Sequence, residues 1–135
     1  MSAKHLKILL AGVLSLSLSV AAFSGQKSPN AATNKQDSLM FGRILGAIED
    51  LGGGYNKEAL HKFASINKDL EKLRYSPRTN WMGHRYYGDA LLRARKREDA
   101  IHVLEIAEKE AAALTEKEQK ETDDLLKQAR AQKAD

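Results

Sequence analysis

The 34 residues from Trp81 to Leu114 constrain the fold more than any other part of the chain. Apolar or aromatic positions at Trp81, Tyr87, Leu91 and Ala94 define one helical stripe, with Gly88 inside it. A glycine inside a helix costs about 1 kcal/mol relative to alanine, so a second backbone is expected to pass close to Gly88. Ala100, Leu104, Ala107, Ala111 and Leu114 follow at spacings of three and four, and two of them are small enough to meet Gly88. Between the stripes, Arg95-Lys96-Arg97-Glu98-Asp99 puts cations at the end of the first helix and anions at the start of the second. Both macrodipoles favour that order. The stretch reads as an antiparallel helical hairpin.

Gly88, Leu91, Ala100, Leu104 and Ala107, with Tyr87-Gly88-Asp89-Ala90-Leu91-Leu92 and Glu98-Asp99-Ala100-Ile101, resemble one tetratricopeptide repeat. That repeat is a helix-turn-helix unit of about 34 residues. His84 stands where the family favours a large apolar residue, and Ala112 where it often has proline. The resemblance implies a groove lined by the first helix of each repeat. Carried onto this sequence, the groove-facing stripe is Met82, Arg85, Asp89, Leu92 and Arg93. Two arginines beside two apolar residues suit a peptide that carries a carboxylate.

The preceding segment repeats the order helix, turn, helix. Phe41, Ile44, Leu45, Ile48 and Leu51 give an apolar stripe from Asp37, with Asp37 or Ser38 as cap and Gly52-Gly53-Gly54 as stop. No Gly-Lys-Ser/Thr follows those glycines, so they do not form a phosphate loop. Asn56 caps a second helix to Arg74, with Leu60, Phe63, Ala64, Asn67, Leu70 and Leu73 on one face and Ala59 and Ile66 flanking. Ala59-Phe63-Ile66 echoes Ala100-Leu104-Ala107 at an offset of 41, about seven above the family period. Tyr75 to Asn80 is the expected seat of the excess. Pro77 ends the helix there, and Thr79 or Asn80 caps the next. Thr115 and Glu118 spell a capping box for a last helix whose narrow stripe is Leu125, Leu126 and Ala129. The expected architecture is all-α: two stacked antiparallel hairpins plus a C-terminal capping helix, over 37–132, with a frayed tail at 133–135.

Residues 1–24 have the layout of a secretory signal peptide: Lys4 and Lys7, an apolar run from Ile8 to Ala22, then small residues for cleavage after Ala22 or Ser24. The alternative is an uncleaved N-terminal anchor. Residues 25–36 are polar and read as a flexible tether. A periplasmic or secreted protein is expected.

The chain has no cysteine, which removes thiolate chemistry and Cys-ligated metals. Glu98, His102 and Glu105 share a helix face, but one expected to point at water, so no metal or other cofactor is expected. Serines and threonines lack a nucleophile setting. The reading is a non-enzyme. Lys57 to Arg97 holds eleven Lys or Arg and four Asp or Glu, a balance of +7, whereas Glu98 to Asp135 holds six and eleven, a balance of −5. Tyr75, Trp81, Tyr86 and Tyr87, interleaved in the basic half, could stack on single-stranded nucleic acid, but export argues against that partner. The function expected is an adaptor for a protein or peptide partner in the cell envelope. The alternative is docking of the basic half on anionic lipid or another polyanion.

Overall fold

Two turns of the same construction set the architecture. In the computed structural model, which describes residues 29–133, Gly54 and Arg95 are the left-handed residues, at φ 85° and 64°. Around them the closing hydrogen bonds recur residue for residue. Gly53 N–H bonds Glu49 O and Tyr55 N–H bonds Asp50 O, as Ala94 N–H bonds Ala90 O and Lys96 N–H bonds Leu91 O. This αL closure satisfies the last carbonyls of a helix and turns the chain back.

Among the described residues five helices result: α1 (Asn34–Gly52), α2 (Asn56–Leu70), α3 (Pro77–Arg93), α4 (Arg97–Ala111) and α5 (Glu116–Ala131). Helices α1/α2 and α3/α4 are hairpins, and α5 follows as the C-terminal helix. Helices α1, α3 and α5 lie side by side in one layer; α2 and α4 form the other, with no close backbone approach between them. Only α3 reaches all four others.

The buried positions carry the same register. Ala59, Phe63, Ile66 and Leu70 of α2 recur 41 residues on as Ala100, Leu104, Ala107 and Ala111 of α4. In the other layer, Met40, Trp81 and Thr122 are equivalent, and so are Ala47, Gly88 and Ala129. Seven residues beyond a 34-residue period are about two helical turns, so the longer repeat keeps the same faces inward. The interval from Ala59 to Gly88, which contains Tyr75–Asn80, recurs from Ala100 to Ala129.

Gly88 is a point of close approach, as expected, and the atoms nearest to it belong to Leu104. A Cβ there would stand 2.5 Å from Leu104 Cγ. Gly83 has the same role toward the first hairpin, where a Cβ would meet Leu70 Cδ1 at 2.6 Å and Ile44 Cδ1 at 3.4 Å. The small residues of α3 are therefore sockets for α2 and α4 leucines, one on each side.

Several local expectations are corrected. Helix α1 begins three residues early, capped by Thr33, whose Oγ1 accepts Gln36 N–H at 3.1 Å while its N–H donates to Gln36 Oε1 at 2.8 Å. Residues 34–36 are thus helix and not tether. Just before them, Ala32 N–H bonds Arg74 O and Arg74 N–H bonds Asn30 O, at 2.9 and 2.8 Å. Freed from capping, Asp37 accepts Ser76 N–H at 2.8 Å and the Ser76 and Thr79 hydroxyls at 3.2 and 3.1 Å. Ser76 caps α3, with Pro77 in its first turn. Tyr55 and Thr115 hold the cap positions of α2 and α5 without side-chain bonds. In α1, Met40 and Ala47 are buried, Phe41 is half-buried and Leu45 is exposed. Ala94 is exposed, and in α2 the stripe centres on Ala59, Phe63, Ile66 and Leu70, leaving Leu60, Ala64 and Asn67 half-buried. Gln132 is held, its Nε2 donating to Leu92 O at 3.1 Å. The leader lies outside the described residues.

Gly88→Ala is expected to overpack the α3–α4 seam and cost about 1–3 kcal/mol, read as a lower denaturation midpoint. Shortening the knob in the same chain, Gly88→Ala with Leu104→Ala, should fall short of the sum of the two single losses.

Candidate binding face

Three of the five residues assigned to a groove are joined in one network on the α1–α3–α5 layer. Asp89 is the hinge: Arg93 Nε donates to it at 3.2 Å and Arg85 Nη1 faces it at 3.5 Å, each one turn away on α3. Arg85 Nη2 reaches Glu121 of α5 at 2.7 Å, and Arg93 Nη1 reaches the Leu51 carbonyl of α1 at 3.4 Å. The ladder therefore ties all three helices of the layer together. Its members differ in availability. The Arg85 side chain is 12% exposed and lies over the Tyr86 ring, 3.9 Å from the centroid, whereas Arg93 is 45% exposed. Met82 and Tyr86 are half-buried and pack on the α1–α2 core beside the ladder.

Leu92 does not belong to this surface. It is buried in the α3–α4–α5 cluster with Leu104 and Leu126. The groove carried over from the repeat resemblance put it beside Asp89, but residues of α4 and α5 cover that side of α3. Glu121 and Tyr86 were not anticipated. Glu121 is 36 residues from Arg85 and has no local pattern linking them; Tyr86 adjoins Arg85, and interleaved aromatic and basic residues were the available signal.

A second set of polar ties sits at the other end of the α3–α5 seam. Trp81 Nε1 donates to Thr122 Oγ1 at 2.8 Å, and that hydroxyl donates to Glu118 O at 2.7 Å. The Glu118 carboxylate turns away from its expected capping role to Arg78, at 2.8 Å. Arg78 holds the carboxyl below its ordinary range. His84, in the place of an apolar residue, is buried with Nδ1 2.6 Å from Glu110 Oε1 of α4.

Among the concavities elsewhere, two lie along α2. One, of about 680 Å³, runs between α2 and α4 over Leu60, Ala64, Tyr87 and Leu91. Burial pushes the Tyr87 phenol above its ordinary range, and Asp99 adds to the shift. The other, of about 420 Å³, follows the α1–α2 seam past Arg43, Gly46, His61 and Lys62. Glu98, His102 and Glu105 are exposed on α4, Glu105 facing Arg130 at 3.7 Å.

The basic half is partly neutralised where it stands. Arg78, Arg85 and Arg93 pair as described, Arg97 pairs with Glu98, and Lys72 and Arg43 share Asp69. Those two cations hold the Asp69 carboxyl below its ordinary range, Lys72 foremost. Cations without a paired carboxylate among the described residues include Lys57, Lys68, Arg74 and Lys96. Comparison with protein-family profiles, curated proteins and solved structures gives no match.

Because folded Glu118 holds its proton less tightly than the unfolded chain, its pairing contributes fully above about 4.5 and is lost as the pH falls through the depressed value. Urea midpoints measured against pH should show this acid loss in the native chain and a shallower one in Glu118→Gln. Asp69 and Asp124, both lowered by neighbouring lysines, account for part of what remains.

Proposed function

We propose that the chain is a non-catalytic adaptor, related to tetratricopeptide repeat proteins and exported by its N-terminal leader, that binds a protein or peptide partner in the cell envelope. The observation that carries this reading is the α1–α3–α5 layer. It presents a charged ladder (Arg85, Asp89, Arg93) flanked by the half-buried Met82 and Tyr86. An apolar strip beside charges held in a fixed geometry can take an extended or helical segment. Arg93 offers the contact for a partner carboxylate, because nearly half its side chain faces water and its guanidinium can exchange the Leu51 carbonyl for a stronger charged acceptor. Arg85 positions Asp89 from below. Within the binding stripe the ligand-facing residues are then Met82, Asp89 and Arg93.

The repeat supports kinship with the tetratricopeptide family through its antiparallel hairpins, its small residues at Gly88, Ala100 and Ala107, and its two-layer order. The 41-residue period sets it apart from the 34-residue type. No helix among the described residues is long and apolar enough to cross a membrane. Docking of the basic half on a polyanion has less to work with, since the field of its arginines is offset at short range by Glu98, Glu118 and Glu121.

A photo-crosslinking residue at Met82 or Arg93, in cells grown with the native leader, is expected to trap one discrete partner. The same residue at His102, on the outside of α4, should not. Arg93→Glu should abolish the Met82 crosslink with helicity unchanged; equal trapping from Met82 and His102 would remove the assignment.

A further inference from the structure

Helix α1 carries an interface of the stack that is left open. The repeat register makes this plain. Forty-one residues before Gly83, which receives Leu70 of the preceding helix, stands Gly42. A Cβ at Gly42 would meet nothing within 4 Å, and the same holds at Gly46. Leu39 and Leu45, 62% and 46% exposed, border these hollows. Each α3 socket is plugged by a leucine of a neighbouring helix; the α1 sockets have no plug among the described residues.

We infer that this face is closed by a second copy of the chain, α1 packing antiparallel on α1 about a twofold axis through Gly42. The face is self-complementary in that arrangement and in no parallel one. Lys35, Leu39, Gly42, Gly46 and Glu49 share one side of the helix, with Leu45 at its edge. Lys35 and Glu49 stand seven residues to either side of Gly42, as Leu39 and Leu45 stand three. Reversing one helix against the other therefore brings Lys35 opposite the second copy's Glu49, twice. The leucine at position 39 comes over the hollow above the second copy's Gly46, the same knob-on-glycine contact that joins α2 to α3. Neither Lys35 nor Glu49 has an ion-pair partner among the described residues. A parallel pair would set Lys35 against Lys35 and Glu49 against Glu49. Twofold closure also ends growth at two copies, because each has one such face. One helix face per protomer, on a helix about 28 Å long, gives an interface at the small end of the specific range, so the dimer is concentration-dependent. This face is distinct from the Met82–Arg93 surface, and its test does not depend on any envelope partner.

The chain lacks cysteine, so single cysteines report the arrangement directly. In the protein purified after expression with its native leader, Gly42→Cys is expected to form a disulfide-linked dimer under mild oxidation. Leu39→Cys should not, since its two copies lie about 9 Å apart along the axis, beyond the roughly 7 Å Cα separation a disulfide spans. Gly42→Leu, whose Cβ would meet nothing within 4 Å, should keep its helicity and melting behaviour yet weaken dimerisation about tenfold or more in sedimentation equilibrium. Lys35→Glu should also weaken it, and Lys35→Glu with Glu49→Lys should restore it. A native chain that stays monomeric at all concentrations overturns the inference in favour of a foreign helix on α1. Equal crosslinking by Leu39→Cys and Gly42→Cys overturns the antiparallel register.

Discussion

Everything in this structure depends on how closely α2 and α4 can approach α3. Two glycines five residues apart on one helix admit leucines from opposite sides: Leu70 at Gly83 and Leu104 at Gly88. A side chain at those points would press on the two leucines and loosen the thin core of a chain with 30% charged residues. Helix α3 is therefore both the second half of one repeat interface and the first half of the next. That is why only α3 touches every other helix.

The polar contacts follow from the same placement. Once α5 lies against α3, Trp81 finds Thr122, Arg78 finds Glu118 and Arg85 finds Glu121. Each joins residues about 36 to 41 positions apart, close to one repeat length. Two of these ties pair Arg78 and Arg85 with acidic residues of α5, whereas Lys57, Lys68, Arg74 and Lys96 keep no paired carboxylate among the described residues. On the proposed binding face, Arg93 stays partly exposed within a ladder that spans three helices.

The two ends of the stack are treated differently. At the C-terminal end, α5 turns a polar face outward, with Asp123, Asp124 and Lys127 exposed. At the other end, α1 shows glycine and leucine. An end cap needs water-compatible side chains, and α5 has them where α1 does not. This asymmetry is the physical ground for placing another helix on α1.

Much of the fold was legible in the sequence. The all-α class, the hairpin from Trp81 to Leu114, the 41-residue echo and the C-terminal helix all follow from apolar periodicity and turn chemistry, which are local. Local competition decided the caps: Thr33 outcompeted Asp37 because Gln36 could reciprocate, which freed Asp37 for Ser76 and Thr79. The candidate site was legible only in part. Spacing put Arg85, Asp89 and Arg93 on one side of α3, but it could not show that Arg85 is held by Glu121 or that α5 covers Leu92. Helical periodicity reports which residues share a face of one helix. Which faces stay open is decided by the helices that pack there, and that depends on contacts a full repeat away along the chain.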